Sequence, residues 1–340
     1  MRKAIWLIAG LLSCSFQSYK AFTQNVKTES EFTGAFYNVE NLFDTINHPD
    51  FRDDDFTPLG SKSWNSYRYW AKLKRISQVL TNAGQWNGLS IIGLCEIENR
   101  NVLIDLVSKT SLKKYDYRIV HEDSKDERGI DVALLFKASR FQYQWHRSIS
   151  VALPNDNKTR DILAVKGMIT NEIPVLIMVN HWPSRWGGKI KTSALRSQAS
   201  ETLKKSIVAL RDSLPATNLL IMGDFNDTPE DLSLKSLFRF LSENYDYHHT
   251  SIANNSKVEG TIYHKDGNFG GWQLFDQVVL AQPKNIKQKL HWKYSEIYGQ
   301  EWLLDNRLTR PYRSYQGPVY LGGYSDHLPV VFKLEVISGH

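Results

Sequence analysis

The chain has 340 residues, 41% hydrophobic and 12% aromatic, a composition that excludes a disordered or low-complexity polymer and allows a sizeable core. Its formal net charge of +6 suits a polyanionic partner without demanding one. The two cysteines, Cys14 and Cys95, are too few for a disulfide-stapled scaffold, so packing must supply the stability.

Taken in chain order, Arg2 and Lys3 precede the apolar run Ala4–Leu12 and then Ser13, Cys14 and Ser15. That is the layout of an export signal, too short for a permanent transmembrane span. Residues 1–21 are expected to form this signal, which places the mature chain outside the cell, in the periplasm or at the outer envelope. Leu11-Leu12-Ser13-Cys14 also has the character of a lipoprotein signal, with Cys14 acylated; the alternative is cleavage beyond it, releasing a soluble chain. Either fate leaves Cys95 unpaired. It lies in the apolar run Ile91–Cys95 and is expected to be a buried, inert thiol.

From residue 30 to 340 the sequence shows no linker, repeat or low-complexity stretch, so one domain is expected there. Strand-length apolar runs occur at Phe32–Tyr37, Ser90–Cys95, Asp131–Phe136, Ile162–Ile169, Val175–Val179, Leu219–Met222, Leu274–Leu280 and Val330–Val336. Helical spacing connects Leu73, Ile76, Val79 and Leu80, then Val102, Leu103, Leu106 and Val107, then Leu195, Ala199, Leu203, Ile207 and Leu210. Thr228-Pro229 predicts a cap and first turn for a further helix reaching about Leu241. Strands interleaved with helices predict a layered α/β fold.

Polar groups gather where these strands end. Asn38 and Asn41 follow the first run, Glu96 and Glu98 the second, Asn180 and His181 the fifth, and Asp224, Asn226 and Asp227 the sixth. Asp276 lies inside an apolar run, and Asp326-His327 leads into the last. Each has a structural alternative: turn residues for Asn38 and Asn41, an Asx turn for Asp224 and Asn226, a strand cap for Asp326-His327, a core histidine for His181, an arginine partner for Asp276. An acid in an apolar strand costs several kcal/mol unless paired or metal-bound, and so many at strand ends argue for one shared site. Asp224 and Asn226, two apart, would share a face if the strand stays extended.

The succession Asn38-Val39-Glu40-Asn41, Cys95-Glu96-Ile97-Glu98, Arg128-Gly129-Ile130-Asp131, Asn180-His181-Trp182, Gly223-Asp224-Phe225-Asn226, Phe275-Asp276 and Ser325-Asp326-His327-Leu328-Pro329 resembles the endonuclease/exonuclease/phosphatase superfamily, in its deoxyribonuclease I-like branch. The resemblance implies a four-layer sandwich, two facing mixed β-sheets flanked by helices. It also implies a divalent-metal-dependent phosphodiesterase using Mg²⁺ or Mn²⁺, with Ca²⁺ possible. By the same resemblance, Asn38, Glu96 and Asp326 serve the metal. Asp224 activates the attacking water, steadied by Asn226, which also contacts the phosphate. His327 contacts the phosphate or acts as a base, with Asp276 fixing its tautomer. His181 assists the leaving oxygen, Glu122 or Asp123 being a carboxylate that would orient it. Arg160 would clamp the phosphate in a guanidinium fork.

Nucleic acid is the expected substrate, DNA foremost, and a monomer is expected. The basic balance favours a phosphate backbone, and Trp182–Lys189 beside His181 mixes aromatics, arginine and glycines suited to bases and phosphates. The alternative is a phosphorylated small molecule or lipid. A lipid substrate would want an exposed apolar hairpin, and none stands out beyond the signal.

Overall fold

The structure is a computed structural model describing residues 30–336, apart from 155–156, 212, 215, 253–256, 267–268, 285–289 and 308. The segment read as an export signal, Cys14 included, lies outside the described residues.

The chain opens with β1 (Ser30–Leu42), and α1 (Ser66–Ala83) carries it back so that β2 (Ile91–Ile97) pairs with β1 in parallel. A parallel pair needs such a crossover, because a tight turn reverses the chain. The Asn65 side chain accepts the Arg68 N–H and caps α1. α2 (Arg100–Ser108) follows, then β3 (Tyr117–His121) and β4 (Asp131–Lys137), which pair with each other and, through β4, with β2. β5 (Phe141–Ile149), β6 (Ile162–Ile169) and β7 (Ile173–His181) run antiparallel in succession. α3 (Lys189–Arg211) is the second crossover, and β8 (Asn218–Asp224) pairs with β7 in parallel. α4 (Leu232–Asn244) leads to β9 (Tyr245–His249), and β10 (Ile262–Asp266) with β11 (Phe269–Gln273) makes a hairpin. β12 (Asp276–Pro283) inserts between β8 and β9. β13 (Leu290–Ile297), the short pair β14 (Tyr315–Gln316) and β15 (Val319–Tyr320), and β16 (Val330–Val336) complete the chain.

Two six-stranded mixed sheets result, ordered β13-β16-β1-β2-β4-β3 and β5-β6-β7-β8-β12-β9. Each carries its parallel pair at the centre, β1 with β2 and β7 with β8. The sheets face each other through one apolar layer in which Phe36, Cys95, Leu134 and Phe332 meet Val165, Ile177, Met222 and Val278. At Gly93 the missing side chain makes room for the facing sheet: a Cβ there would run into the Met222 sulfur. Leu73, Ile76 and Leu103 of α1 and α2 cover the outer face of the first sheet, and Ala199, Leu203 and Leu237 of α3 and α4 cover the second. This is the four-layer α/β sandwich that the motifs implied. No helix among the described residues is long and apolar enough to cross a membrane.

The expected bounds of the helix after Thr228 need correcting. α4 begins at Leu232, not beside Thr228, and ends at Asn244. The reason is that the Asp231 carboxylate accepts the Thr228 N–H and hydroxyl at 2.8 and 3.0 Å, folding 228–231 into a separate turn. Arg196 falls on the buried side of α3, with no exposed surface. Its Nε sits 2.7 Å from Asp227, which Arg185 of the β7–α3 loop reaches at 3.1 Å and to which the Ser233 hydroxyl donates at 2.6 Å.

That cluster ties α3, α4 and the loop after β7 together. Asp227→Ala would leave two buried guanidinium groups without their shared carboxylate, at a cost of about 3–5 kcal/mol. Urea unfolding of the two proteins checks this; a loss below about 1 kcal/mol would remove the cluster from the account of stability.

Candidate active site

Both central parallel pairs end on one edge of the sandwich. In the second sheet His181, Asp224 and Asp276 are lateral partners across β7, β8 and β12, so three strands deliver one polar row. The first sheet brings Asn38 from β1, Glu96 from β2 and the Ser325–His327 turn that leads into β16.

The first-sheet strands reach the site through irregular backbone. Their register shifts between Asn38 and Leu42 and between Cys95 and Ile97. Glu40, Asn41 and Glu96 have φ of 52°, 52° and 62°, the left-handed region that non-glycine residues rarely occupy. A bulge of this kind re-aims a side chain, and here it puts Glu96 on the cleft instead of in the apolar layer. The Asn41 N–H donates to Glu96 Oε2 at 2.8 Å and holds it there.

Asp224 is the centre of the arrangement and is almost fully buried. Its Oδ2 accepts Asn38 Nδ2 at 3.0 Å and stands 3.7 Å from Nε2 of both His181 and His327. Its Oδ1 accepts the Asn226 N–H at 2.9 Å. Asn226 has a φ of 51°, so the chain turns there and the extended stretch expected over Asp224–Asn226 does not form. The Asx turn and the site are one feature. Asn226 Nδ2 donates to the Trp182 carbonyl at 3.0 Å.

His327 Nδ1 lies 2.6 Å from Asp276 Oδ2, which presents Nε2 toward Asp224. Burial alone would lower the His327 imidazole, but Asp276 and Asp224 outweigh it and hold its pKa well above the ordinary histidine value. His181 goes the other way: burial, reinforced by Arg160, Arg128 and His327, holds it well below. Burial raises Asp224 to about 7, with His327 pulling it down and Asp276 pushing it up. Near neutral pH the two histidines therefore differ, His327 an imidazolium and His181 a neutral ring. Cys95 lies directly beside this group, with its sulfur, a His181 nitrogen and an Asp224 oxygen all within 4.8 Å of one another. Burial raises the thiol pKa and keeps it protonated.

Other expected residues sit differently. Glu122 pairs with His146 at 2.7 Å and Asp123 faces His121 at 3.8 Å, so neither orients His181, whose carboxylate neighbour is Asp224. Arg160 is buried behind the cleft wall, its Nη1 on Asp126 at 3.0 Å and its Nη2 on the Trp182 carbonyl at 2.6 Å. In that position both of its Nη groups are already taken, so no guanidinium fork faces the cleft. The guanidinium groups that line the cleft are those of Arg128, Arg185 and Arg313. Arg313 bridges Asp326 at 3.0 Å and Glu40 at 3.6 Å, and Arg128 lies 3.7 Å from Glu96. Arg313 was not legible beforehand, because it falls in irregular chain with no pattern around it. Lys72 was missed as well, although the signal was there: it shares the buried helical face of Tyr69, Leu73 and Ile76, and its Nζ lies 3.9 Å from Glu40.

Glu96 and Asp326 open on the cleft with side-chain exposures of 14% and 25%. Both offer carboxylate oxygens, a hard donor set that suits a divalent cation such as Mg²⁺ or Mn²⁺, while the protonated Cys95 thiol does not. Asn38 turns its NH₂ to Glu96 and Asp224, and its Oδ1 accepts the Glu40 N–H at 3.0 Å. Here it holds carboxylates together, and its oxygen faces away from Glu96. The cleft has a volume of about 830 Å³, with Trp186, His264 and Phe275 among its walls.

If Asp276 holds the His327 charge, Asp276→Asn lowers the His327 pKa. Titration of the ring by NMR in wild type and variant checks this, and an unchanged midpoint would leave Asp276 without that role.

The model of the Endonuclease/Exonuclease/phosphatase family matches residues 33–336. No curated protein matches the chain. Among solved structures it is similar to TDP2 from C. elegans, at 14% identity and a TM-score of 0.56, covering 90% of this chain and 75% of that one. It is also similar to a mannosyl-6-phosphatase from Bacteroides thetaiotaomicron, at 18% identity and a TM-score of 0.55, covering 90% and 100%. A third is D. rerio TDP2 complexed with single strand DNA product, at 14% identity and a TM-score of 0.51, covering 90% and 99%. At these identities the structural likeness speaks for the fold, while the family match spans nearly all the described chain. The protein belongs to the endonuclease/exonuclease/phosphatase family, a family of metal-dependent phosphoesterases.

Proposed function

We propose that the protein is a divalent-metal-dependent phosphodiesterase that hydrolyses nucleic acid, DNA foremost. The observation that carries the hydrolytic reading is the buried Asp224 carboxylate, 3.7 Å from Nε2 of both His181 and His327. Hydrolysis of a phosphodiester needs a base for water, positive charge for the phosphate and a proton for the leaving oxygen. Asp224, with its pKa raised to about 7, accepts the proton of the attacking water. Asn38 and Asn226 fix its orientation. The His327 imidazolium, steadied by Asp276, faces the phosphate oxygens and has a proton to give. His181 lines the same cleft and would hydrogen-bond the leaving oxygen as it takes the His327 proton. Glu96 and Asp326 would hold the cation, which when bound supplies charge to neutralise the phosphate.

For the substrate, the net charge of +6 and the cleft-lining Arg128, Arg313 and Lys189 favour a polyphosphate backbone. The DNA product in the D. rerio TDP2 structure supports the same choice. A specific observation favours a second reading. A side pocket of about 190 Å³, walled by Phe56, Trp64 and Tyr315 with Glu40 and Arg313 at its polar side, adjoins the cleft and suits one sugar ring. The mannosyl-6-phosphatase of the same fold fits that alternative.

The purified chain and Asp224→Ala should be incubated with plasmid DNA, RNA and mannose 6-phosphate, with Mg²⁺ or Mn²⁺ and with EDTA. DNA cleavage is expected, abolished by EDTA and reduced at least ~100-fold in the variant. Phosphate release from the sugar with intact DNA would overturn the nuclease reading in favour of the second one. Glu96→Gln is expected to abolish metal-dependent turnover, and full activity in it would remove Glu96 from the cation site. Residues 1–21, read as an export signal, support an extracytoplasmic site of action. The mature chain recovered from the source cells should then begin beyond residue 13, and an uncleaved cytoplasmic precursor would contradict export.

A further inference from the structure

Trp186 is 90% exposed, yet it lines the same cleft as His181, Asp224 and His327. Trp182, at the start of the same segment, is buried and packs edge-on against Phe225 at 4.7 Å between ring centroids. The fold uses one of these indoles for its core and leaves the other on the rim.

The exposed ring stands on an anchored base. Arg185 is buried over the Phe275 ring at 4.4 Å. Its Nε donates to the Asn226 carbonyl at 2.7 Å, and its Nη2 reaches Asp227 and Asp231 at 3.1 and 2.6 Å. The Gly188 N–H closes a turn onto the Arg185 carbonyl at 2.8 Å. Gly187 and Gly188 have φ of 89° and 111°, a backbone path that side-chain-bearing residues rarely take. Lys189 then returns to Asp231 at 2.6 Å. The loop that carries the ring is thus fixed to Asn226, the residue that orients Asp224. A large flat ring on a fixed base loses little freedom on binding, which is what a stacking platform needs.

We propose that Trp186 is a stacking subsite for an unpaired nucleobase beside the scissile phosphate. This rests on the nucleic-acid reading above and narrows it to single-stranded or frayed substrate. A base already stacked in a duplex has no free face to offer the indole, whereas an unpaired base does. Ile190 is also exposed, at 91%, and a pair of exposed apolar side chains is what a lipid-inserting loop would carry. Ile190 is not part of the cleft, whereas Trp186 lines it together with His181, Asp224 and His327.

The test uses the full chain carrying Asp224→Asn to suppress cleavage, with Mn²⁺ and fluorescently labelled ligands followed by anisotropy. The ligands are a single-stranded oligonucleotide, an abasic strand of equal length and charge, and a blunt duplex. Trp186→Ala is expected to weaken the single strand roughly 5- to 100-fold, the usual range for one stacked base, and Trp186→Phe to recover most of it. The abasic strand, having no base to stack, should bind the Trp186→Ala chain as it binds the Trp186 chain. Equal loss on the abasic strand, or no loss on the single strand, overturns the stacking subsite. If the Trp186 chain with active Asp224 still cuts DNA in that case, the nuclease reading stands and this subsite alone falls. If no oligonucleotide is bound or cut by any chain, both fall. Loss of binding to anionic phospholipid vesicles with unchanged oligonucleotide affinity would assign the ring to a lipid surface instead.

Discussion

A carboxylate with almost no access to water, Asp224, is the constraint on which the rest depends. Burying a charge is expensive, and the expense is offset only where several polar groups converge on it with the right geometry. Two of its partners, Asn38 of β1 and His327 of the turn that leads into β16, come from the first-sheet side, and His181 belongs to the second sheet. The site therefore exists only while the two sheets face each other at a fixed spacing. That spacing is set by the apolar layer between them, down to the missing side chain at Gly93 opposite Met222. Core packing and catalytic geometry are in this respect a single requirement.

The same burial that costs stability sets the proton affinities of the site. In water two histidines would titrate together. In this site Asp276 and Asp224 hold His327 up, while burial, reinforced by Arg160 and Arg128, holds His181 down, and their pKa values are driven apart. Arg160 contributes to this from behind the wall, where it is held by Asp126 and the Trp182 carbonyl. Its place in the structure gives it an electrostatic part in the site without contact with the cleft. The left-handed backbone at Glu96 and Asn226 is part of the same design, since each turn directs a group that an extended strand would send elsewhere.

Much of this was legible in the sequence because the central strands are buried on both faces and read as continuous apolar runs. The edge strands β5, β9 and β13 were not, since runs such as Phe141–Ile149 keep one side in solvent and carry polar residues at most positions. The acidic and histidine residues at strand ends announced a shared site through their order along the chain. What the order does not carry is orientation. Nothing in Asp224-Phe225-Asn226 reveals a left-handed turn, and nothing around Arg160 reveals that Asp126 would take its guanidinium. Arg313 lies in chain without periodicity, and it joins Asp326 to Glu40 only once the loop before β16 is folded.

One cleft is expected to bind the cation and the phosphate together, across both sheets. The most direct measurement is anomalous diffraction from crystals soaked with Mn²⁺ and a phosphorothioate oligonucleotide. The account predicts a manganese peak between the Glu96 and Asp326 carboxylates, with the phosphate group against Asp224, His181 and His327. Manganese elsewhere, with Arg128 and Arg313 still occupying those carboxylates and no phosphate beside His327, would contradict it.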